Sequence, residues 1–240
     1  MALLSVRPVL GAGSDVSLAV EEAPNPWFDP SFVSRNWDTI LGHLREHVWL
    51  TVAAVLLGAL LALPMALLAR RSRWLAGPVL AFSTIVYTIP SLALFALLLP
   101  VTGLSATTVL VGLTAYSLVI LVRSFLAGLQ GVPGEVREAA RGMGLSPAQL
   151  FVRVDLPLAL PTFMAGLRVA TVSTVALTTV GVLVGHGGLG QLITGGLARN
   201  EYRAEIVTGA LGCVLLALVA DLLLVGVERL LTPWARAVRT

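Results

Sequence analysis

The chain has 240 residues, of which 57% are hydrophobic and 12% charged, whereas soluble domains have roughly 45–50% apolar and about 25% charged residues. This composition excludes an ordinary soluble globular domain and favours an integral membrane protein. The 16 basic and 13 acidic residues leave a net charge of +3, which is too small to indicate a nucleic-acid-binding protein.

Residues 1–47 are predicted to form an extracytoplasmic N-terminal tail that ends in a short interfacial helix. The beginning of the tail lacks the cleavage site that is typical of a secretory signal peptide. Apolar residues in its second half recur at the three- and four-residue spacing of a helix. These residues are Trp37, Ile40, Leu41, Leu44 and Val48.

Five apolar segments follow, each long enough to cross a bilayer, which requires roughly 20 residues per helix. They cover residues 48–69, 75–100, 105–127, 163–185 and 206–231. Because backbone groups in lipid must be paired within the segment, helices are the expected form. The sequence therefore predicts an all-α polytopic membrane protein, with five transmembrane helices in a domain over residues 48–231.

Arginines cluster at alternate ends of these segments, and all basic residues of the chain are arginines. Since basic loops stay in the cytoplasm, we predict that the N-terminus lies outside and that the C-terminal tail, residues 232–240, is cytoplasmic. The same rule predicts one long cytoplasmic loop, at about residues 130–160.

This loop is predicted to contain two helices that meet at a sharp bend. Glu138 and Ala139 suit a helix interior, and Gly144 suits the left-handed position that ends a helix. Ser146 can cap a second helix, with Pro147 in its first turn and a glutamine three residues after the cap that completes a capping box.

The order Glu138-Ala139-Ala140, then Gly144, then Leu156-Pro157 resembles the EAA loop of permease subunits in binding-protein-dependent ABC importers. The resemblance implies the type I permease fold and a prokaryotic cell-membrane location. It also implies three kinds of partner besides the lipid bilayer, namely cytoplasmic ATPase subunits, a second permease copy or paralogue, and an extracytoplasmic substrate-binding protein. The residues that it assigns to ATPase coupling are Glu138, Ala139, Gly144, Leu145, Ser146, Pro147, Gln149, Phe151 and Arg153.

Two further segments resemble those of one branch of this family. Residues 87–95 and 185–190 look like the corresponding segments of permeases for osmoprotectants such as glycine betaine, choline, carnitine or proline betaine, although His186 stands where that branch usually has alanine. The implied function is osmoprotectant import. A methionine-type permease remains the alternative within transport, because it shares the five-span plan and a similar glycine-rich segment.

Pro90 interrupts the second span and predicts a kink or a local unwinding. Broken helices at membrane depth are tolerated where they line a cavity. Tyr87, Pro90 and Ser91 are therefore candidate pathway-lining residues. Hydroxyl residues of the fourth span, including Thr174 and Thr178, either line the same pathway or bond to helix carbonyls.

Energy for transport is expected from another chain. A phosphate-binding loop requires a lysine, and the sequence has none. Gly185, Gly187 and Gly190 have the spacing of a dinucleotide-binding fingerprint, but they follow a membrane helix and not a strand, which favours a tight turn. We expect no bound cofactor.

Asp221 lies inside the fifth span, and intramembrane carboxylates are candidate functional groups. A proton-coupled secondary carrier would use Asp221 directly. A structural ion pair, with Arg123 as the suggested partner, is the favoured interpretation.

A metalloenzyme would require His43, His47 and His186 to converge, and the spacing of His43, Glu46 and His47 favours a solvated helix over a metal site. The sequence contains no catalytic arrangement that indicates an enzyme.

Overall fold

The computed structural model of the chain describes residues 25–236, and within that range every regular element is helical. Residues 1–24 of the predicted tail and the last four residues of the chain lie outside the described part. The helices are α1 Pro30–Arg35, α2 Trp37–Arg71, α3 Arg73–Thr88, α4 Ser91–Thr102, α5 Ala106–Gln130, α6 Gly134–Gly142, α7 Pro147–Leu150, α8 Leu156–Thr178, α9 Gly190–Ala198 and α10 Arg203–Leu231. A π-helical turn, Phe151–Asp155, joins α7 to α8, and short 3-10 helices cover Thr179–Val184 and Pro233–Arg236.

Four helical stretches among the described residues are long and apolar enough to cross a membrane: Trp37–Arg71, Ala106–Gln130, Pro147–Val184 and Arg203–Leu231. A fifth span arises if α3 and α4, which are bent by 96° relative to each other, are counted together. The all-α, five-span prediction is therefore confirmed, and the predicted kink in the second span is a full break of the helix.

The predicted interfacial helix does not exist as a separate element. Helix α2 runs without interruption from Trp37 to Arg71, so the predicted boundary at residues 47 and 48 falls inside it. At this boundary the His47 side chain is fully buried, and both of its ring nitrogens bond to other parts of the protein, so the segment packs inside the fold and not at an interface. The helix ends only at Ser72, which has an extended backbone conformation.

Helix α5 is the centre of the fold and packs against both α2 and α8. Small residues allow the close approach: a Cβ atom at Gly58 would collide with Ser117, and one at Gly166 would collide with Ser124. Such contacts between small residues are the usual means of helix packing in membranes. The core they produce includes the rings of Phe125 and Phe163, which pack in a tilted arrangement with centroids 4.4 Å apart.

Helix α10 lies at the periphery, packed against α8 and α9. Its buried residues are confined to its first two turns, namely Ala204, Glu205 and Gly209. The rest of the helix exposes leucine and valine side chains over most of its length. Such a helix requires lipid or another membrane subunit around it.

Near the start of α10, the short helix α1 packs against the main body. The rings of Phe32 and Tyr202 meet edge to face, with centroids 5.4 Å apart. The Asp29 carboxylate accepts bonds from the Ser31 hydroxyl at 2.6 Å and the Ser31 amide at 2.9 Å. These bonds stabilise the charged form, so the pKa of Asp29 lies below its usual value.

Candidate functional site

The bend between α6 and α7 has the geometry that the sequence predicted. Gly144 adopts a left-handed conformation with φ of 81°. Its amide donates to the carbonyl of Arg141 at 2.9 Å, and the amide of Leu145 donates to that of Ala140 at 3.2 Å. This pair of bonds is a Schellman motif, which ends α6 and turns the chain sharply.

The capping box at the start of α7 is also confirmed. The Ser146 hydroxyl accepts from the Gln149 amide at 3.4 Å, and the Gln149 side chain accepts from the Ser146 amide at 2.9 Å. Pro147 occupies the first turn, as expected. The second helix is not an isolated element, however, because α7 continues through the π-helical turn into α8.

The loop exposes both charged and apolar side chains to the solvent. Most residues assigned to coupling are exposed, while Leu145 and Phe151 are half-buried. Three apolar side chains, Val136, Met143 and Val152, are also exposed on this loop, and Met143 is exposed by 73%. The sequence analysis did not single out these three residues. Apolar groups next to charged ones form a surface that suits a protein partner.

A buried carboxylate lies directly beneath this surface. Asp155 is 3% exposed. Its carboxylate oxygens form ion pairs with Nη1 of Arg70 and Nε of Arg137, each at 2.8 Å. Arg137 also donates to the carbonyl of Leu129 near the end of α5. The cluster therefore links α2, α5, α6 and the start of α8. We call Arg70, Arg137 and Asp155 the cytoplasmic junction, after the predicted cytoplasmic loop that contains two of them.

The cytoplasmic junction was not predicted from the sequence. Its three residues are far apart in the chain, and no local rule pairs them. One signal was present: Asp155 is the only acidic residue between positions 139 and 200. A lone carboxylate at the predicted membrane boundary, among several arginines, indicates a partner of opposite charge.

A side chain of α5 hydrogen-bonds to the backbone at the break in the second span. Helix α3 ends at Thr88 and α4 begins at Ser91. The Tyr116 hydroxyl donates to the carbonyl of Ile89, at the break. The ring of Tyr116 meets that of Tyr87 edge to face, with centroids 6.0 Å apart. Tyr116 thus satisfies a backbone group that the break frees.

The candidate pathway residues differ in their exposure. Tyr87 and Pro90 are exposed, and Ser91 is half-buried. Thr174 and Thr178 are buried and donate to the carbonyls of Ala170 and Thr174 at 2.7 and 2.8 Å. For these two threonines the structure favours the carbonyl-bonding alternative over the pathway-lining one.

An apolar cleft of about 360 Å³ lies between α2, α3 and α5. Leucine, valine and alanine side chains form nearly all of its lining, and no charged residue contributes to it. A cleft without charged groups does not match a charged solute, so the cleft is not a candidate solute site.

The glycine-rich segment packs tightly against α2. Gly185 and Gly188 have φ values of 85° and 51°, and a Cβ atom at Gly188 would collide with His47. His47 Nε2 donates to the carbonyl of Val175 at 3.0 Å, and its Nδ1 accepts from the Leu189 amide at 3.3 Å. The segment is the tight turn that the sequence favoured.

The three histidines do not form one cluster. His186 Nδ1 lies 2.7 Å from Glu46 Oε1, whereas His47 bonds only to backbone groups. Within residues 25–236, no three histidine, cysteine or acidic side chains are placed to hold a metal ion.

Asp221 forms an ion pair, but the suggested partner was wrong. Both of its carboxylate oxygens accept from Arg168, at 2.8 and 3.0 Å, and Glu228 lies 3.8 Å from the same arginine. Arg123 instead donates to the Thr84 hydroxyl at 2.8 Å. Arg168 is the partner of Asp221 because α8 and α10 pack against each other.

We predict that Asp155→Asn destabilises the protein by about 3 kcal/mol, because removing one partner of a buried ion pair leaves the other charges uncompensated. Arg137→Gln should also destabilise it, and the double variant should lose less than the sum of the two effects. Thermal denaturation in detergent measures these changes. The control is Arg71→Gln, an exposed neighbour of Arg70, which should leave the midpoint unchanged. A wild-type midpoint for Asp155→Asn would contradict the prediction.

Comparison with known proteins identifies the family. Residues 54–237 match the model of the binding-protein-dependent transport system inner membrane component. The chain is 37% identical over 203 residues to the glycine betaine/carnitine/choline transport system permease protein OpuCD of Bacillus subtilis, covering 85% of this chain and 89% of the relative. It is 38% identical over 193 residues to the osmoprotectant import permease protein OsmW of Salmonella typhimurium, covering 78% and 89%.

Solved structures show the same fold. A chain of the inward-facing MetNI methionine ABC transporter superposes with a TM-score of 0.74 at 24% identity, over 80% of this chain and 96% of that one. A chain of an amino acid ABC transporter with histidines gives a TM-score of 0.69 at 21% identity, over 84% and 98%. The family match, the relatives and the fold together show that the chain belongs to the inner membrane components of binding-protein-dependent transport systems, which are the permease subunits of ABC importers.

Proposed function

We propose that this chain is the permease subunit of an ATP-driven importer for osmoprotectants such as glycine betaine, choline, carnitine or proline. The observation that carries the substrate class is the 33–38% identity, over most of the chain, to relatives whose names specify osmoprotectants, glycine betaine, carnitine or choline. The methionine alternative has less support, because the likeness to the methionine transporter is at 24% identity and concerns the fold.

The coupling role belongs to the loop formed by α6, α7 and the π-helical turn. Its exposed apolar and charged residues offer a docking surface for a cytoplasmic ATPase subunit. Movement of this surface reaches the membrane helices through the cytoplasmic junction, because the junction bonds α6 to α2, α5 and α8. The assigned coupling residues, from Glu138 to Arg153, then act as one rigid unit.

Other subunits complete the transporter. The exposed apolar faces of α3, α4 and α10 leave room for a second permease copy or a paralogue, and for lipid. An extracytoplasmic receptor supplies the solute. In this arrangement the N-terminus lies outside the cell membrane and the C-terminus lies in the cytoplasm, as the distribution of arginines favours.

We predict that Gly144→Val lowers ATP-driven uptake roughly tenfold, because a β-branched residue is strained at a positive φ and the left-handed conformation costs about 1–2 kcal/mol. The measurement is uptake of labelled glycine betaine into proteoliposomes that contain the complete complex. Gly142→Val is the matched control, since Gly142 has an ordinary backbone conformation and open space around its Cα. Equal uptake by the Gly144 and Gly142 variants would exclude the coupling role of the bend.

The same vesicles test the substrate class. Uptake of glycine betaine, choline, carnitine and methionine is compared in the wild-type complex. The proposed function expects uptake of at least one quaternary ammonium solute. A complex that takes up methionine and none of the quaternary ammonium solutes would establish the alternative.

Asp221→Asn distinguishes an ATP-driven importer from a proton-coupled carrier. The carboxylate is held by two bonds from Arg168, which is the geometry of a structural pair and not of a group that exchanges protons. We therefore expect the variant to retain ATP-driven uptake at no less than about a third of the wild-type rate, since an amide still accepts one of the two bonds. Uptake that is abolished in the assembled variant, and that requires a proton gradient in the wild type, would favour the carrier.

A further inference from the structure

Arg123 is an exposed cation on a membrane-spanning helix. Apart from it, α5 carries no charged residue between Ala106 and Gln130. Among residues 25–236, no carboxylate lies within ion-pair distance of Arg123, and its recorded bond is to the Thr84 hydroxyl at 2.8 Å. Charged side chains inside membranes are costly, and they normally mark a pathway or face a partner of opposite charge.

The guanidinium of Arg123 lies against α3. Arg123 precedes the end of α5 by about 10 Å of helix, whereas Thr84 lies about 16 Å beyond the start of α3. The cytoplasmic junction places the ends of α2 and α5 together, and α3 begins directly after α2. The bond to Thr84 places this guanidinium against α3, one helical turn before Tyr87.

Tyr87 lies one helical turn beyond Thr84 on the same face of α3. Its ring is 56% exposed, and in the described part of the chain its hydroxyl makes no hydrogen bond. At this depth a phenol hydroxyl without a protein partner requires water. Tyr116 holds the ring in place by the edge-to-face contact at 6.0 Å and is itself fixed to the carbonyl of Ile89. The ring of Tyr87 is thus held by one aromatic contact, while the residue remains more than half exposed.

We propose that Arg123 and Tyr87 form a transient binding site for zwitterionic quaternary ammonium solutes in the pathway. The guanidinium binds the solute carboxylate, and the ring of Tyr87 binds the trimethylammonium group through a cation–π contact. This inference rests on the proposed function and adds to it the residues that contact the solute within the membrane. Tyr116 is a positioning residue, because it acts only through the ring of Tyr87.

The site discriminates between solutes by their charge. Glycine betaine and carnitine carry a carboxylate and a quaternary ammonium group, so they engage both residues. Choline has a hydroxyl in place of the carboxylate and engages Tyr87 alone. The positive charge of Arg123 favours the zwitterions over the cation. A weak site of two contacts also suits a pathway, since the solute must leave as readily as it enters.

The test uses the complete complex in proteoliposomes, with receptor at saturation, and measures ATP-driven uptake of glycine betaine and of choline. Arg123→Gln should slow glycine betaine uptake about tenfold, the effect of one hydrogen bond to a charged group, and leave choline uptake unchanged or faster. Arg123→Lys should restore part of the rate. Tyr87→Leu should slow both solutes about threefold, the effect of one cation–π contact, whereas Tyr87→Phe, which keeps the ring, should retain the wild-type rate.

Two variants serve as controls. Arg71→Gln removes an exposed arginine at the end of α2, and Trp49→Leu removes an exposed aromatic ring from the same helix. Both should transport each solute at the wild-type rate.

The outcomes distinguish failure of this binding site from failure of the proposed function. If the wild-type complex takes up no quaternary ammonium solute, the proposed function and this site both fail. If the wild type takes up glycine betaine and Arg123→Gln slows both solutes equally, Arg123 is structural or binds lipid, and only the site is overturned. Should the wild type transport glycine betaine but not choline, equal rates for Arg123→Lys and Arg123→Gln would overturn the site.

Discussion

A buried carboxylate between two arginines ties the long loop of this protein to its membrane helices. Asp155 cannot leave Arg70 and Arg137 without exposing three charges to a poorly solvated environment, which is costly. The helices that carry these residues, together with the end of α5, are therefore tied to one arrangement. A force applied to the exposed loop cannot be absorbed by local bending. It moves α2, α5 and α8 together, as the proposed coupling to an ATPase requires.

The membrane-spanning part contains a second feature, a span that is broken between α3 and α4. The break between α3 and α4 frees backbone groups, and Tyr116 satisfies one of them. A helix interrupted in this way can change its angle with little loss of packing. At the other end, His47 bonds the glycine-rich turn to α2. Rigid contacts at both ends and a hinge between them suit a protein that alternates between two states.

Local rules predicted the features that depend on a few adjacent residues. The spans follow from apolar runs, the bend at Gly144 from the left-handed conformation that glycine permits, and the cap at Ser146 from its glutamine three residues later. The sequence could not reveal the cytoplasmic junction or the partner of Asp221, because both join residues that only the packing of helices brings together. The sequence also could not show that the predicted boundary at residue 47 falls inside one continuous helix. His47 looks like a residue for a solvated helix, yet tertiary contacts satisfy both of its nitrogens.

Cysteine accessibility tests most directly whether the cytoplasmic junction transmits ATP-driven closure. Thr88→Cys, in a Cys213→Ala background, places one reactive group at the break of the second span. An impermeant maleimide should label it from the cytoplasmic side without nucleotide and from the outer side when ATP is trapped on a hydrolysis-deficient ATPase. Adding Asp155→Asn should abolish this exchange in complexes that still assemble and bind ATP. An unchanged exchange in that variant would contradict the account.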